Sequence, residues 1–460
     1  MQTDALKQIL ALARAGATSR AWEAFKASGL DRADADASAL TLKGRLLKDQ
    51  ARHAPAHLRP ALFALAGEAY EHAARPGAET YPLINAAAMA LHAGERERSV
   101  ELAGKVLHLI ESGQEKGETP YWGEATRAEA LLLLNRIEDA RSSLAYAVSL
   151  APQAWEDHAA TLRQFDLILS ELGEEDSWLD SFRPAPAMHF NGILGIAADD
   201  KAASNAIAAE VRAIAPGFAY GALAAGADII AAEAAVLVGA ELHVVLPSDP
   251  HDFRKTSVEP LGEDWPQRFD SLLEIADTLI ICDKAESTSA AGVALAELHA
   301  MGLALERASQ LQAQAVALRI EPADRPVLGD PWLQSGMPTR HVAVLANTKS
   351  VVPQLPAGEL KFDIATDDTA VTSFGSLEDC VQALRKSGSV RMAIDCRLGE
   401  TVHVKALLPH SAYGMVAASR SAALGLLASG LASRIETIGE MAFPEGPVEL
   451  CLAKLSEPPG

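Results

Sequence analysis

Apolar residues recur at three- and four-residue spacing from the N-terminus to about residue 175, the period of amphipathic helices. Breaks fall at Gly29, Pro76-Gly77, Gly117 and Pro152, so this stretch predicts helices throughout. From residue 184 the pattern changes to short apolar runs alternating with helical periods. Residues 187–195 predict a strand and its turn, 201–214 a helix, and 217–222 a second strand. A helix starting near Ala227 and ending at Gly239-Ala240 follows, then a buried strand over 241–246. A short buried strand over 278–283, a long Ala/Leu helix over 290–313 and a strand over 316–321 complete the series. Alternating strands and helices predict a parallel, doubly wound sheet. Beyond residue 340 the expected order is a strand over 341–348, a Ser-capped helix over 376–386, strands over 390–395 and 402–407, a helix over 413–427, and a hairpin of 433–442 with 448–455. That is a ferredoxin-like α+β pattern.

Length and charge narrow the partners. A chain of 460 residues with 49% hydrophobic residues holds two to four packed domains. A formal charge of −21 repels nucleic-acid backbones and anionic membranes, so neither is expected as a partner. Cys282, Cys380, Cys396 and Cys451 form no C-x-x-C pair, which argues against a disulfide framework or a zinc site. The N-terminus lacks a basic stretch followed by an apolar core, and no apolar run reaches about 18 residues. A cytoplasmic protein is expected.

The helical region repeats itself. Ala128, Asn135, Ala140, Leu144 and Ala147 have counterparts 41 positions earlier in Ala87, Gly94, Ser99, Ala103 and Val106. Gly16, Ala21 and Phe25 suggest an earlier copy. This pattern resembles tetratricopeptide repeats, whose small residues let helix pairs interlock; an ordinary helical bundle is the alternative. The period exceeds the usual length of about 34 residues because loops such as 112–119 are inserted. Residues 81–91 look like a helix of the TRAF-binding region of MAP kinase kinase kinases. The resemblance over 1–178 implies a protein partner.

In the central region, 184–322, the turn after the second strand carries candidate chemistry. Gly221 and Gly226 flank it and Asp228 opens the next helix, but these glycines do not fit G-x-G-x-x-G. The turn is either a nucleotide-sized site, with backbone N–H groups offered to a phosphate or ribose, or a plain βα connection. Other candidates at the strand ends are Asn191, Gly192, Ser248, Asp249 and Asp283, with Glu233 one and a half turns beyond Asp228. The insert 247–258 reads as a loop. It either closes over a ligand, with Arg254 or Lys255 on a phosphate, Asp249 on a ribose and Ser257 beside them, or is a solvated connector. Gly-Ala-x-x-x-Gly-Ala-Asp over 221–228 and the strand after it resemble the LOG-like, or SLOG, branch of Rossmann-type domains. The Pro-Gly-Gly-x-Gly-Thr-x-x-Glu motif of LOG enzymes is absent, and residues 284–292 read Lys-Ala-Glu-Ser-Thr-Ser-Ala-Ala-Gly. The resemblance therefore implies ligand sensing more than phosphoribohydrolase activity.

The order of motifs over 338–460 resembles a class III adenylate/guanylate cyclase domain. Such cyclases use two aspartates to hold two metal ions. Here the first position falls at Asn347 and the second at Asp368, whose flanking glycines are replaced by Asp367 and Thr369. The transition-state asparagine falls near Val416 and a family arginine at Arg420. The resemblance thus implies a metal-free pseudo-cyclase fold used for packing or for pairing two chains.

Two functions are open. One is a regulatory protein whose helical repeats bind a protein partner and whose central domain senses a nucleotide-derived ligand. The other is an enzyme acting on a nucleotide, with Asp228, Glu233 and Asp249 as acid–base or ribose-binding groups, or a residual cyclase. No firm cofactor is implied under either.

Overall fold

The computed structural model describes the chain except residues 1, 15–17, 33–35, 76–78, 115–117, 283–287, 324–330, 335, 346–353, 368–369, 400–402, 413, 445 and 458–460. The chain forms two compact units, Met1–Pro184 and Ala185–Gly460. Among the described residues, no helix is long and apolar enough to cross a membrane.

The first unit is all helical. Its α-helices are α1 Gln2–Arg14, α2 Thr18–Ala27, α3 Ala37–His53, α4 Arg59–Ala74, α5 Thr80–His92, α6 Arg96–Glu111, α7 Pro120–Leu133, α8 Ile137–Leu150 and α9 Trp155–Leu172. Helix starts follow local chemistry. Asp36 accepts from the N–H groups of Ser38 and Ala39 at α3, and Thr119 with Pro120 opens α7. The 41-residue repeat is visible in the turns. Gly94 and Glu95 donate to Leu91 and Ala90 after α5, and Asn135 and Arg136 donate to Leu132 and Leu131 after α7. Gly94 and Asn135 both have positive φ, which only Gly and Asn adopt readily. The paired positions Ala87/Ala128, Ser99/Ala140, Ala103/Leu144 and Val106/Ala147 are all buried, as are Ala21 and Phe25; Gly16 lies outside the described residues.

The second unit holds two sheets. Its elements run β1 Ala187–Gly192, α10 Lys201–Ile214, β2 Phe218–Gly221, α11 Ala227–Leu237, β3 Glu241–Leu246, α12 Pro250–Ser257, α13 Trp265–Ile275, β4 Thr278–Ile281, α14 Ala290–Leu311, β5 Ala315–Pro322, α15 Pro331–Gln334 and β6 Thr339–Val344. They continue with β7 Lys361–Thr366, β8 Thr372–Phe374, α16 Leu377–Ser387, β9 Met392–Arg397, α17 Val404–Leu407, β10 Val416–Ser419, α18 Arg420–Ala428, β11 Ala432–Phe443 and β12 Gly446–Leu455. The first sheet is parallel throughout, in the order β4-β3-β2-β1-β5-β6. Helices α10, α11 and α13 pack on one face and α14 on the other. The second sheet is mixed, in the order β11-β12-β10-β9-β7-β8.

Several expectations are corrected. The strand expected over 341–348 as part of the C-terminal region is β6, the sixth strand of the first sheet, where Val342 and Val344 enter that sheet's core. Residues 404–407 are helical because Val404 and Leu407, one turn apart, bury together. The helix expected over 413–427 begins as β10, a central strand buried on both faces, whose continuous apolar run hides its period. The parallel β9–β10 pair makes the second sheet mixed, not ferredoxin-like. The loop expected over 247–258 is α12, opened by Asp249 as cap and Pro250 as first residue. The strand expected to be buried over 278–283 is the edge strand β4, with Leu279 and Ile281 exposed.

Helix α14 joins the two sheets. It covers the first, and α18 of the second packs directly on it. A Cβ on Gly302 of α14 would lie 2.6 Å from the Leu424 Cβ. Arg420 closes the crossing with two bonds to Glu306, at 2.9 and 2.5 Å. Gly302→Val is expected to destabilise the protein by about 1–3 kcal/mol through overpacking. Gly104→Ala, inside α6 with nothing within 4 Å of the added methyl, should stabilise by roughly 0.5–1 kcal/mol. Thermal unfolding of the two variants checks the contrast, and equal effects would contradict the close crossing.

Candidate functional site

The first sheet changes direction between β1 and β5. Strands β2, β3 and β4 build out on one side of β1, and α14 returns the chain to the other side. The carboxyl end of β1 is therefore the switch-point crevice, where parallel sheets bind ligands. Asn191 and Gly192 end β1 there. Asn191 lies in register with Arg319 of β5, and its amide donates to Glu297 of α14 at 2.7 Å. Arg319 is buried and donates to Nδ1 of buried His189 at 2.8 Å, which leaves that imidazole neutral with its proton on Nε2. Burial and the neighbouring Arg319 hold the His189 pKa well below the ordinary histidine value.

Asp228 enters the same crevice from the first turn of α11. Its carboxyl accepts from the backbone N–H of Gly192 at 2.9 Å and from that of Ala224. Burial pushes its pKa from 3.8 up to about 8; the two N–H groups oppose the rise, Glu297 adds to it and Arg319 opposes it. The structure thus brings Asn191, Gly192 and Asp228 together, and adds His189, Glu297 and Arg319.

Protein atoms occupy the space the glycines leave. A Cβ on Gly192 would lie 2.3 Å from that of Ala227, and one on Gly221 would lie 2.5 Å from the Phe190 ring. Gly226 has φ +117°, and a Cβ there would meet the Ile193 carbonyl at 2.8 Å. The N–H of Ala227, at the start of α11, donates to that same carbonyl at 3.2 Å. At the start of α14, Ala290 and Ala291 donate to the carbonyls of Pro356 and Ala357.

Ser248, Asp249 and Ser257 sit on or beside α12. Ser248 is fully buried and lies 2.6 Å from the Thr288 hydroxyl. Asp252 accepts from the Thr288 N–H at 2.6 Å and from its hydroxyl at 3.1 Å, and Thr256 joins the same network. The Ser257 carbonyl accepts from Ala225 at 3.0 Å, which ties α12 to the crevice turn. Asp249 caps α12 through the His251 N–H. Glu233 and Arg254 are engaged elsewhere. Glu233 takes two bonds from Arg268 of α13, and Arg254 bridges Asp270 and Glu259. Asp283, Asn347 and Asp368 lie outside the described residues. Arg420, the arginine implied by the cyclase resemblance, is the partner of Glu306, and Val416 is buried in β10. Among the described residues, no group of three or more His, Cys, Asp or Glu is placed to hold a metal ion.

A second polar cluster lies in the helical unit, where α3, α5, α7 and α9 converge. Lys48 donates to Asn85 at 3.1 Å, and Gln164 donates to Glu129 at 3.0 Å. Lys48 and Glu129 are half-buried, whereas Asn85 and Gln164 are buried. Burial lowers the pKa of Lys48 and raises that of Glu129, and each partly offsets the other's shift by its charge.

Sequence reading missed Arg319, Glu297 and Thr288. Arg319 had a signal, because a lone cation inside the apolar strand Ala-Val-Ala-Leu-Arg-Ile demands a buried partner. Comparison of the chain with family models, with curated proteins and with solved structures found no match.

The raised Asp228 pKa sets a pH dependence. Below about pH 4 the folded and unfolded chains both hold this proton. Between there and about 8 only the folded chain does, so stability falls as pH rises, by up to ~1.4 kcal/mol per pH unit. Asp228→Asn should remove this component, so that the variant gains on the parent between pH 5 and pH 8 in urea unfolding. Parallel curves would mean that Asp228 is ionised in the folded protein.

Proposed function

We propose that the chain is a regulatory binding protein. The helical unit holds a protein partner, the β1/β5 crevice takes a small nucleotide-like ligand, and the second sheet has a packing role without catalysis. The observation that carries this reading is the polar seam of Lys48, Asn85, Glu129 and Gln164. Two ionisable groups kept half-buried in a helical core cost stability, and a hydrophobic pair of similar volume would pack there at less cost. Such a cost is retained where the charges recognise something. The repeated turns after α5 and α7 support the same reading, because stacked helix pairs present their inner helices along one continuous surface.

The test uses Lys48→Met with Glu129→Gln in the full-length chain. The pair should leave the thermal midpoint unchanged or raise it. Recovery of the protein partner from the native cell, read by quantitative mass spectrometry, should fall at least about tenfold, equivalent to 1.4 kcal/mol. A partner set indifferent to both substitutions rejects the seam as the recognition surface.

The crevice supports the ligand half of the reading through buried Asp228 and Arg319 with half-buried Asn191 and Glu297 at the switch point. The same groups would serve an enzyme acting on a nucleotide, with Asp228 as an acid that carries its proton at neutral pH. A thermal-shift panel of NAD, ADP-ribose, cyclic nucleotides, ATP and GTP, with and without manganese, separates the cases. A ligand at a hundred times its Kd adds about 2.7 kcal/mol. A shift without turnover supports sensing, product formation lost in Asp228→Ala supports the enzyme, and no shift with any member removes the ligand from the proposal.

A further inference from the structure

The two sheets end in four edge strands, and three of them carry the usual protection against pairing with another chain. Strand β6 presents Arg340 and His341 to solvent. Strand β11 carries Arg434, Glu436 and Glu440 and a register break between Thr437 and Gly439. Strand β8 has only three residues. Charges, bulges and shortness are what keep an open edge from templating another strand. Strand β4 has none of these except modest length. Its sequence, Thr-Leu-Ile-Ile, has no charge and no proline, and among the described residues no strand lies beyond it.

The mismatch between this strand's chemistry and its surroundings is quantitative. Leu279 and Ile281 stand in register beside Val244 and Leu246 on the same face. Val244 and Leu246 are 0% exposed, whereas Leu279 and Ile281 are 44% and 41% exposed. Ile275, at the end of α13 just before the strand, is 54% exposed. The segment has the composition of an interior strand, and among the described residues of the second unit its Leu279 and Ile281 stay exposed.

We propose that β4 is a self-association edge, on which two copies of this chain pair antiparallel about a two-fold axis at Ile280. The residue pattern is symmetric about that position. With Ile280 opposite Ile280 of the second copy, each Leu279 faces an Ile281 on one side of the joined sheet, and Ile280 meets Ile280 on the other. No charge opposes a like charge within Thr278–Cys282. This uncharged window is bounded by Asp277 and Asp283, which the same register matches across the two copies. In a chain of net charge −21 the pairing therefore carries a like-charge cost at its ends that salt screens. Pairing would join the two six-stranded sheets into one continuous sheet and cover the exposed Leu279 and Ile281.

Sedimentation velocity of the full chain tests this from about 1 to 100 µM, the range of micromolar affinities. A concentration-dependent dimer is expected, tighter at 0.5 M than at about 0.05 M salt because screening relieves the overall repulsion. Leu279→Lys and Ile281→Lys should each give monomer with an unchanged circular dichroism spectrum, since both side chains are exposed in the single chain. Mild oxidation of Ile280→Cys should yield an interchain disulfide that the parent does not form, because antiparallel neighbours sit within disulfide reach. A parent that stays monomeric throughout, a dimer that survives both lysine substitutions, or a failure of Ile280→Cys to cross-link would each overturn the proposal.

Discussion

The second unit depends on the contact between α14 and α18. Helix α14 lies over central strands β1, β2 and β3 on one face of the first sheet, where Trp332 of α15 also stacks on His189, and it gives its outer side to the second. Two helices can share so close a crossing only where one lacks a side chain, and Gly302 supplies that position under Leu424. The contact is apolar and non-directional, so it does not by itself select a rotation. The two-point bond from Arg420 to Glu306 does, since a guanidinium and a carboxylate meet in one plane. Arg420 opens α18 immediately after Ser419 ends β10, so the same residue that aligns the helices also aligns the second sheet with the first.

That arrangement bears on the switch-point crevice. Glu297, which receives the Asn191 amide, sits on α14 about one and a half turns before Gly302. The rotation of α14 fixed by Arg420 and Glu306 therefore also sets where Glu297 meets β1. The polar set at the strand ends is held from three sides: by β1 and β5 through register, by α11 through Asp228, and by α14 through Glu297. A buried polar network of this kind is costly unless each member is satisfied. The Arg319 bond to neutral His189 and the Gly192 and Ala224 N–H groups donating to Asp228 are the forms this satisfaction takes.

The βαβ core was legible where the hydrophobic period was unambiguous. The strands at 187, 218, 241 and 315 and helices α10, α11 and α14 emerge close to their expected bounds, because each apolar run is bracketed by a cap or a glycine. Misreadings fell where the period is ambiguous. The run Val416–Ser419 continues into an equally apolar α18, and alanine marks neither strand nor helix face. The candidate site was half legible. Asn191, Gly192 and Asp228 were visible from their positions at strand ends and a helix start. Glu297 lies 106 positions from its partner Asn191, a distance that sequence spacing does not span.

The sequence by itself determined the helical character of the first 175 residues, the alternation that makes a parallel sheet, and the small residues on which helix pairs close. These follow from local periods and caps, which act over a few residues. Tertiary structure alone decided which strand stands at an edge. Residues Thr278–Ile281 have the apolar content of an interior strand, but strand order is set by crossovers and helix packing, so they end the sheet. The tertiary structure also decided what the glycines are for. Gly192, Gly221 and Gly226 look alike as turn formers along the chain, and only the packed neighbours Ala227, Phe190 and Ile193 show that each clears room for protein atoms. The charge of a side chain such as Asp228 likewise depends on burial by residues distant in sequence, and no local pattern encodes that environment.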